Sequence, residues 1–161
     1  MRRYVVALAF ASASAVACSG PQVDVAAETE AVRARSRAIV AAEAAQDVDA
    51  ALAFWAPDAV AQPAGAPQAQ GHDAIRALYG QFFDTGQLKE LEGTTSYLVV
   101  SQGGDLAYEY GVNRMVFTGP EGDLLDMGKY LAVWQKIEGE WYVAALSFTS
   151  DAPAPTPIAT N

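Results

Sequence analysis

Residues 128–151, GKYLAVWQKIEGEWYVAALSFTSD, set the architecture of this chain. Two runs rich in Tyr, Trp, Val and Leu flank the dipeptide Glu138-Gly139. β-Branched and aromatic side chains suit a half-buried pleated surface, and a two-residue Glu-Gly connection fits a primed turn. The stretch is therefore predicted to be a β-hairpin. With Glu138 and Gly139 as the loop, Ile137 pairs with Glu140, Lys136 with Trp141, Trp134 with Val143 and Tyr130 with Ser147. Alternation then places Tyr130, Ala132, Trp134, Val143, Ala145 and Ser147 on one face. Leu131, Val133, Ala144, Leu146 and Phe148 fall on the other. Both faces are mostly apolar, so each needs cover, from helices on one side and from a second subunit on the other.

The pattern G-K-Y-L-x-V-W-x-K-x-x-G-x-W-x-V, ending in Ser150-Asp151, resembles the closing hairpin of SnoaL-like proteins. These belong to the nuclear-transport-factor-2-like superfamily, which also contains ketosteroid isomerase. The resemblance extends over residues 27–151 and implies a curved sheet wrapped around helices to form a cone with a pocket inside. That superfamily is functionally mixed, so the likeness speaks to fold and not to reaction.

Outward from the hairpin, the rest of the chain fits this picture. Residues 26–46 are Ala-rich with Glu and Arg, and Val32, Ile39 and Val40 form an apolar stripe at helical spacing. Asp47 is placed to cap a second, shorter helix with Ala50, Ala51, Phe54 and Trp55 inward, ended by Pro57. Residues 58–62 form a candidate short strand, and 63–71 a loop rich in Ala, Gly, Pro and Gln. A third helix opens at His72 or Asp73, with Ile75, Leu78, Tyr79, Phe82 and Phe83 on one side and Gly86 after its end. Segments 87–101, 104–117 and 123–138 read as strands, separated by Gly103-Gly104 and by Gly119-Pro120-Glu121-Gly122. Three helices followed by long antiparallel strands make an α+β domain over residues 26–151. The tail, 152–161, has three prolines and no aromatic, and is expected to be mobile.

The first residues read as an export signal. Arg2 and Arg3 precede an apolar run from Tyr4 to Ala17 that is too short to span a membrane. Residues 1–17 are the expected signal peptide and 18–25 a tether. The chain's only cysteine, Cys18, follows a small residue and resembles the lipidated cysteine of bacterial lipoproteins. Ala15 replaces the Leu usual in that motif, so plain secretion with an incidental cysteine is the alternative. Ser19 after the cysteine resembles the pattern sent to an outer membrane, which implies a periplasmic location. The formal net charge of −9 repels phosphate backbones, and no basic cluster follows the signal, so nucleic acid is excluded as a partner. Membrane attachment is expected only through Cys18.

Few groups are available for chemistry. With one histidine, His72, no multi-histidine metal site is possible, and no thiol remains once Cys18 is lipidated. No nucleophile-elbow glycine pattern surrounds any serine, and no phosphate-binding glycine loop occurs, so no cofactor is expected. Carboxylates are the remaining route to acid–base work. Glu109 and Asp126 lie inside otherwise apolar strands and are candidate catalytic groups, unless they face water or pair with Arg114 or Lys129. In ketosteroid isomerases the base is an Asp before a Pro-x-Gly after the first strand. Here Gln62 precedes Pro63 and Gly65, and residues 26–46 hold no Tyr to match the oxyanion-binding Tyr of their first helix. The resemblance thus argues against that isomerase reaction.

The expected binding groups are Tyr79, Asn113, Tyr130 and Ser147, with Trp55 and Trp134 as walls. Three functions fit these residues. The first is a lipid-anchored domain that binds a small apolar molecule. The second is a lyase, isomerase or hydrolase using a pocket carboxylate. The third is a non-catalytic interaction module. An isologous homodimer through the outer sheet face is expected in each case.

Overall fold

The computed structural model describes residues 23–158. Helix α1 (Val25–Ala44) starts where the Asp24 side chain accepts from the Ala27 amide at 3.0 Å. Its Val32, Ser36 and Ile39 are buried, one turn after another on one side. Helix α2 (Val48–Leu52) is capped by Asp47, whose carboxylate accepts from the Ala50 amide, as its sequence suggests. It stops before Pro57 is reached, because Trp55 already belongs to strand β1 (Trp55–Pro63). Within the expected loop, β2 (Ala69–Gln70) pairs with β1. Helix α3 (Gly71–Phe83) carries Ile75 and Phe83 in the core, and Gly86 follows it with φ +62°.

Four long strands then build the sheet: β3 (Leu88–Val100), β4 (Leu106–Gly119), β5 (Gly122–Ile137) and β6 (Glu140–Ser150). The order is β2-β1-β6-β5-β4-β3, antiparallel except where β1 runs parallel to β6. Register irregularities in β1/β6, β3/β4 and β5/β6 bend this sheet, and it stays open while the helices pack against it. The tail is not free along its described length. Its β7 (Thr156–Pro157) pairs with Leu124 and Leu125 of β5, on the stretch of β5 that β6 leaves unpaired.

The hairpin forms on Glu138 and Gly139, both with positive φ (50° and 91°), as a type I′ turn requires. Pairing follows the expected register from Ile137↔Glu140 to Trp134↔Val143. It then slips by one residue, so that Val133 pairs with Ala145, Leu131 with Ser147 and Tyr130 with Phe148. This bulge leaves Ala144 extra and exchanges the faces of β6 beyond it. Leu146 and Phe148 turn inward, while Ala145 and Ser147 go to the outer side, opposite to the sequence-based assignment.

The core gathers Val32 and Ile39 of α1, Trp55, Ala56, Ala59 and Ala61 of β1, Ile75 of α3 and Ala132, Trp134, Trp141 and Val143 of the hairpin. At its N-terminal end α1 is tied to that hairpin. Glu28 accepts from Lys136 Nζ at 2.6 Å and Trp141 Nε1 at 2.8 Å, and Arg35 Nε donates to the Trp141 carbonyl at 3.0 Å. Further along, α1 lies close on β3 because Gly93 leaves room there. A Cβ on Gly93 would stand 2.9 Å from a Val40 methyl.

Candidate functional site

Between α1, α3 and the inner face of β3–β6 lies a cavity of about 260 Å³. Its walls are almost wholly apolar: Ile39 and Val40 of α1, Ile75, Leu78, Phe82 and Phe83 of α3, and Ala132, Val143, Leu146 and Phe148 of the hairpin. Glu92 is exposed and also lines the cavity, which marks the rim.

Two hydrogen-bonded groups interrupt the apolar lining. In the first, Trp55 Nε1 donates to the Tyr79 hydroxyl at 3.0 Å, and that hydroxyl donates to Glu43 Oε1 at 2.5 Å. Tyr79 also packs edge-on to Trp55 and stacks on Phe83, with ring centroids 6.4 and 5.5 Å apart. Burial pushes the Glu43 carboxyl up from its ordinary 4.5 to about 7, and the Tyr79 hydrogen bond opposes that shift only in part. Burial, with the Glu43 carboxylate beside it, raises the Tyr79 phenol well above its usual range.

The second group belongs to the sheet. Glu109, 1% exposed, accepts from Thr95 Oγ1 at 3.0 Å on one oxygen and from Trp134 Nε1 at 3.2 Å on the other. Thr95 is also 3.1 Å from the Tyr130 hydroxyl, and Ser36 of α1 approaches the same hydroxyl. Burial raises the Tyr130 phenol as well. Its ring fits because residue 111, opposite on β4, is glycine. A Cβ there would lie 2.8 Å from Tyr130 Cε1 and run into the Thr94 carbonyl.

Six of the eight residues singled out from the sequence therefore line one cavity: Trp55, Tyr79, Glu109, Asn113, Tyr130 and Trp134. Glu109 is buried and pairs with no cation among the described residues; Arg114 bonds Glu90 and Lys129 bonds Asp151. Two residues are misplaced by the sequence reading. Ser147 leaves the inner face at the hairpin bulge. Asp126 points inward and is buried, but it lies outside the cavity wall, where Ser150 Oγ donates to its Oδ2 at 2.8 Å. Its Oδ1 and the Asn113 Oδ1 are buried without a hydrogen-bond partner among the described residues. His72 is held away from the cavity, with Nε2 3.0 Å from the Trp55 carbonyl oxygen.

Glu43 is the functional candidate that sequence reading passed over. The signal was present: Glu43 follows Ser36 by seven residues and Ile39 by four, so it shares the buried side of α1. A carboxylate on a core-facing stripe is the anomaly to look for. No group of three or more metal-ligating side chains occurs among the described residues. None of the described helices is long and apolar enough to cross a membrane, and the expected signal and Cys18 lie outside the described residues.

Comparison with known proteins agrees with this geometry. A ketosteroid isomerase-like protein from Erwinia carotovora atroseptica superposes with a TM-score of 0.71 at 20% identity, covering 78% of this chain and 98% of its own. A candidate scytalone dehydratase from Novosphingobium aromaticivorans gives 0.67 at 15% identity, covering 84% and 96%. An NTF-2-like protein of unknown function from Shewanella oneidensis gives 0.63 at 15%, covering 74% and 97%. At these identities the likeness is one of fold. No curated protein matches the sequence. The SnoaL-like domain profile matches residues 36–144, more than half of the sequence, and the chain belongs to the SnoaL-like domain family.

Proposed function

We propose that this SnoaL-like domain binds a small, predominantly apolar molecule in the cavity between α1, α3 and the sheet. The observation that carries this reading is an apolar space of about 260 Å³ on which a few polar groups converge from α1, α3, β4 and β5. A filled interior would have favoured a purely structural module. The direct test is titration with a neutral fluorescent apolar probe, N-phenyl-1-naphthylamine, on the parent protein and on Ala132→Phe. Ala132 lines the cavity beside Glu109, so a phenyl ring there occupies the space. Saturable binding by the parent and none by a folded Ala132→Phe variant is the expected result. Absence of saturable binding to the parent would end this reading.

A second reading is enzymatic, and Glu43 favours it. A carboxyl that titrates near 7 inside an apolar cavity suits a general acid or base. Two of the structural neighbours bear enzyme names, a ketosteroid isomerase-like protein and a candidate scytalone dehydratase. On this reading the proton is handled by Glu43, not by Glu109 or Asp126. Any turnover should then vanish in Glu43→Gln while substrate affinity persists.

Export and assembly complete the proposal. Lipidation of Cys18 would hold the domain at the periplasmic face of a membrane, and Cys18→Ala should move it to the soluble fraction. The outer sheet face displays Tyr97, Leu106, Tyr108, Tyr110, Val112 and Leu131, each more than 40% exposed. Their contiguity supports a sheet-to-sheet homodimer. Sedimentation at micromolar concentration should give a dimer, and Tyr108→Glu a monomer; a monomeric parent would remove the dimer from the proposal.

A further inference from the structure

The indole and hydroxyl groups of Trp55, Tyr79, Thr95, Tyr130 and Trp134 have spent their hydrogens on one another and on the carboxylates of Glu43 and Glu109. The Trp55 indole N–H goes to Tyr79, the Tyr79 hydroxyl to Glu43, and the Trp134 indole N–H to Glu109. Thr95 gives its single hydroxyl proton to Glu109, so the 3.1 Å contact between Thr95 and Tyr130 has Tyr130 as donor. What the two carboxylates present to the cavity is acceptor capacity. Glu43 has one oxygen beyond the one Tyr79 uses, and Glu109 has spare lone pairs. Among the described residues no Lys, Arg or His lines this space, whereas Glu43, Glu92 and Glu109 do. A carboxylate in apolar surroundings either meets a cation or gives up its charge. The remaining lining includes the aromatic rings of Trp55, Tyr79, Phe82, Tyr130, Trp134 and Phe148, a ring type whose faces attract cations.

We propose that the ligand of this cavity is a small hydrophobic amine, bound in its ammonium form with the head on Glu43 and the carbon skeleton against the aromatic wall. The inference rests on the ligand-binding reading above and narrows it to one charge class. An ammonium brings three donors, no acceptor and a positive charge, which is the complement of this lining. A carboxylate ligand would meet acceptors and like charge. An alcohol supplies one donor and no charge. Paired with an ammonium, Glu43 stays ionised and acts as an anchor, which separates this reading from the enzymatic one.

Binding is then linked to a proton. The titratable groups facing Glu43 are Tyr79 from α3, Tyr130 from β5 and Glu109 from β4, with Glu92 at the rim. Burial raises both phenols, so they stay protonated at neutral pH. Glu43, held near 7, releases its proton as the ammonium arrives, and amine affinity rises from pH 6 to pH 8.

The test is calorimetric titration with three probes on one skeleton: 2-(1-naphthyl)ethylamine, 2-(1-naphthyl)ethanol and 1-naphthylacetate. At pH 8 the amine should bind about ten- to a hundredfold more tightly than the alcohol, the increment expected for a charge-assisted hydrogen bond. The carboxylate should not bind. In Glu43→Gln the preference for amine over alcohol should fall to near one, and the rise with pH should disappear. Equal binding of alcohol and amine by the parent protein would overturn the inference and leave the ligand-binding reading standing. An amine preference that survives Glu43→Gln would overturn the assignment to Glu43. If none of the three probes, nor N-phenyl-1-naphthylamine, binds the parent, both readings fall together.

Discussion

Replacing Glu43 with Gln isolates the energetic cost of keeping a carboxyl inside this cavity. Burial raises that group from 4.5 to about 7, so the folded state holds its proton more tightly than the unfolded chain does. The resulting contribution to stability is fully present below the unfolded value of 4.5, and it is lost as pH rises through about 7. At about 1.4 kcal/mol per unit, the gap amounts to roughly 3 kcal/mol between the two limits. Gln keeps the shape and still accepts from the Tyr79 hydroxyl, but it does not titrate. Comparing the two proteins at each pH cancels the other carboxylates. Among these is Glu28, lowered by its Lys136 and Trp141 hydrogen bonds, whose contribution runs the opposite way and is lost as pH falls. Urea unfolding followed by tryptophan fluorescence at pH 5, 6, 7 and 8 measures the difference. Glu43→Gln should be no more stable than the parent at pH 5, and should gain roughly 2–3 kcal/mol relative to it by pH 8. In thermal melts that gain corresponds to about 2–4 °C per kcal/mol for a chain of this size. A difference that stays flat from pH 5 to pH 8 would refute the claim that burial holds Glu43 near neutrality.

Two further substitutions probe the same architecture. Tyr79→Phe removes the hydroxyl that accepts from Trp55 and that partly offsets the burial of Glu43. It should cost about 1–3 kcal/mol through the orphaned indole N–H, and raise the Glu43 titration midpoint in a carbon-detected NMR titration. A lowered midpoint would contradict the assigned hydrogen bond. Gly111→Ala drives a methyl against the Thr94 carbonyl and the Tyr130 ring. An overpacking cost of about 1–3 kcal/mol should appear as an earlier urea midpoint, and an unchanged midpoint would mean that β3 yields at no cost.

Local signals in the sequence were sufficient for the elements. Asp47 caps α2, Glu138-Gly139 makes the primed turn, and apolar stripes on 26–46 and 72–83 give the inner sides of α1 and α3. Each depends on side chains a few residues apart, which is where cap, turn and periodicity rules operate. The type of fold and six of the cavity's lining residues were legible for the same reason, since alternation and helical spacing carry the inward side along an element. What lay beyond the sequence was decided at long range. The slip at Val133/Trp134 lies in a hairpin whose β6 also pairs with β1, and it moves Ser147 outward and Phe148 inward with no local mark in the residues. Asp126 satisfied the pattern of an inward carboxylate, yet which inward residues meet the cavity depends on where α1 and α3 cross the sheet. Glu43 was visible as a charge on a buried stripe, but its protonation near neutrality was not. That shift comes from burial in a cavity that exists only once α1, α3 and the sheet have closed around it, and it is opposed in part by Tyr79, 36 residues away in the chain. Desolvation belongs to a place, not to a residue, and only the folded chain has such places.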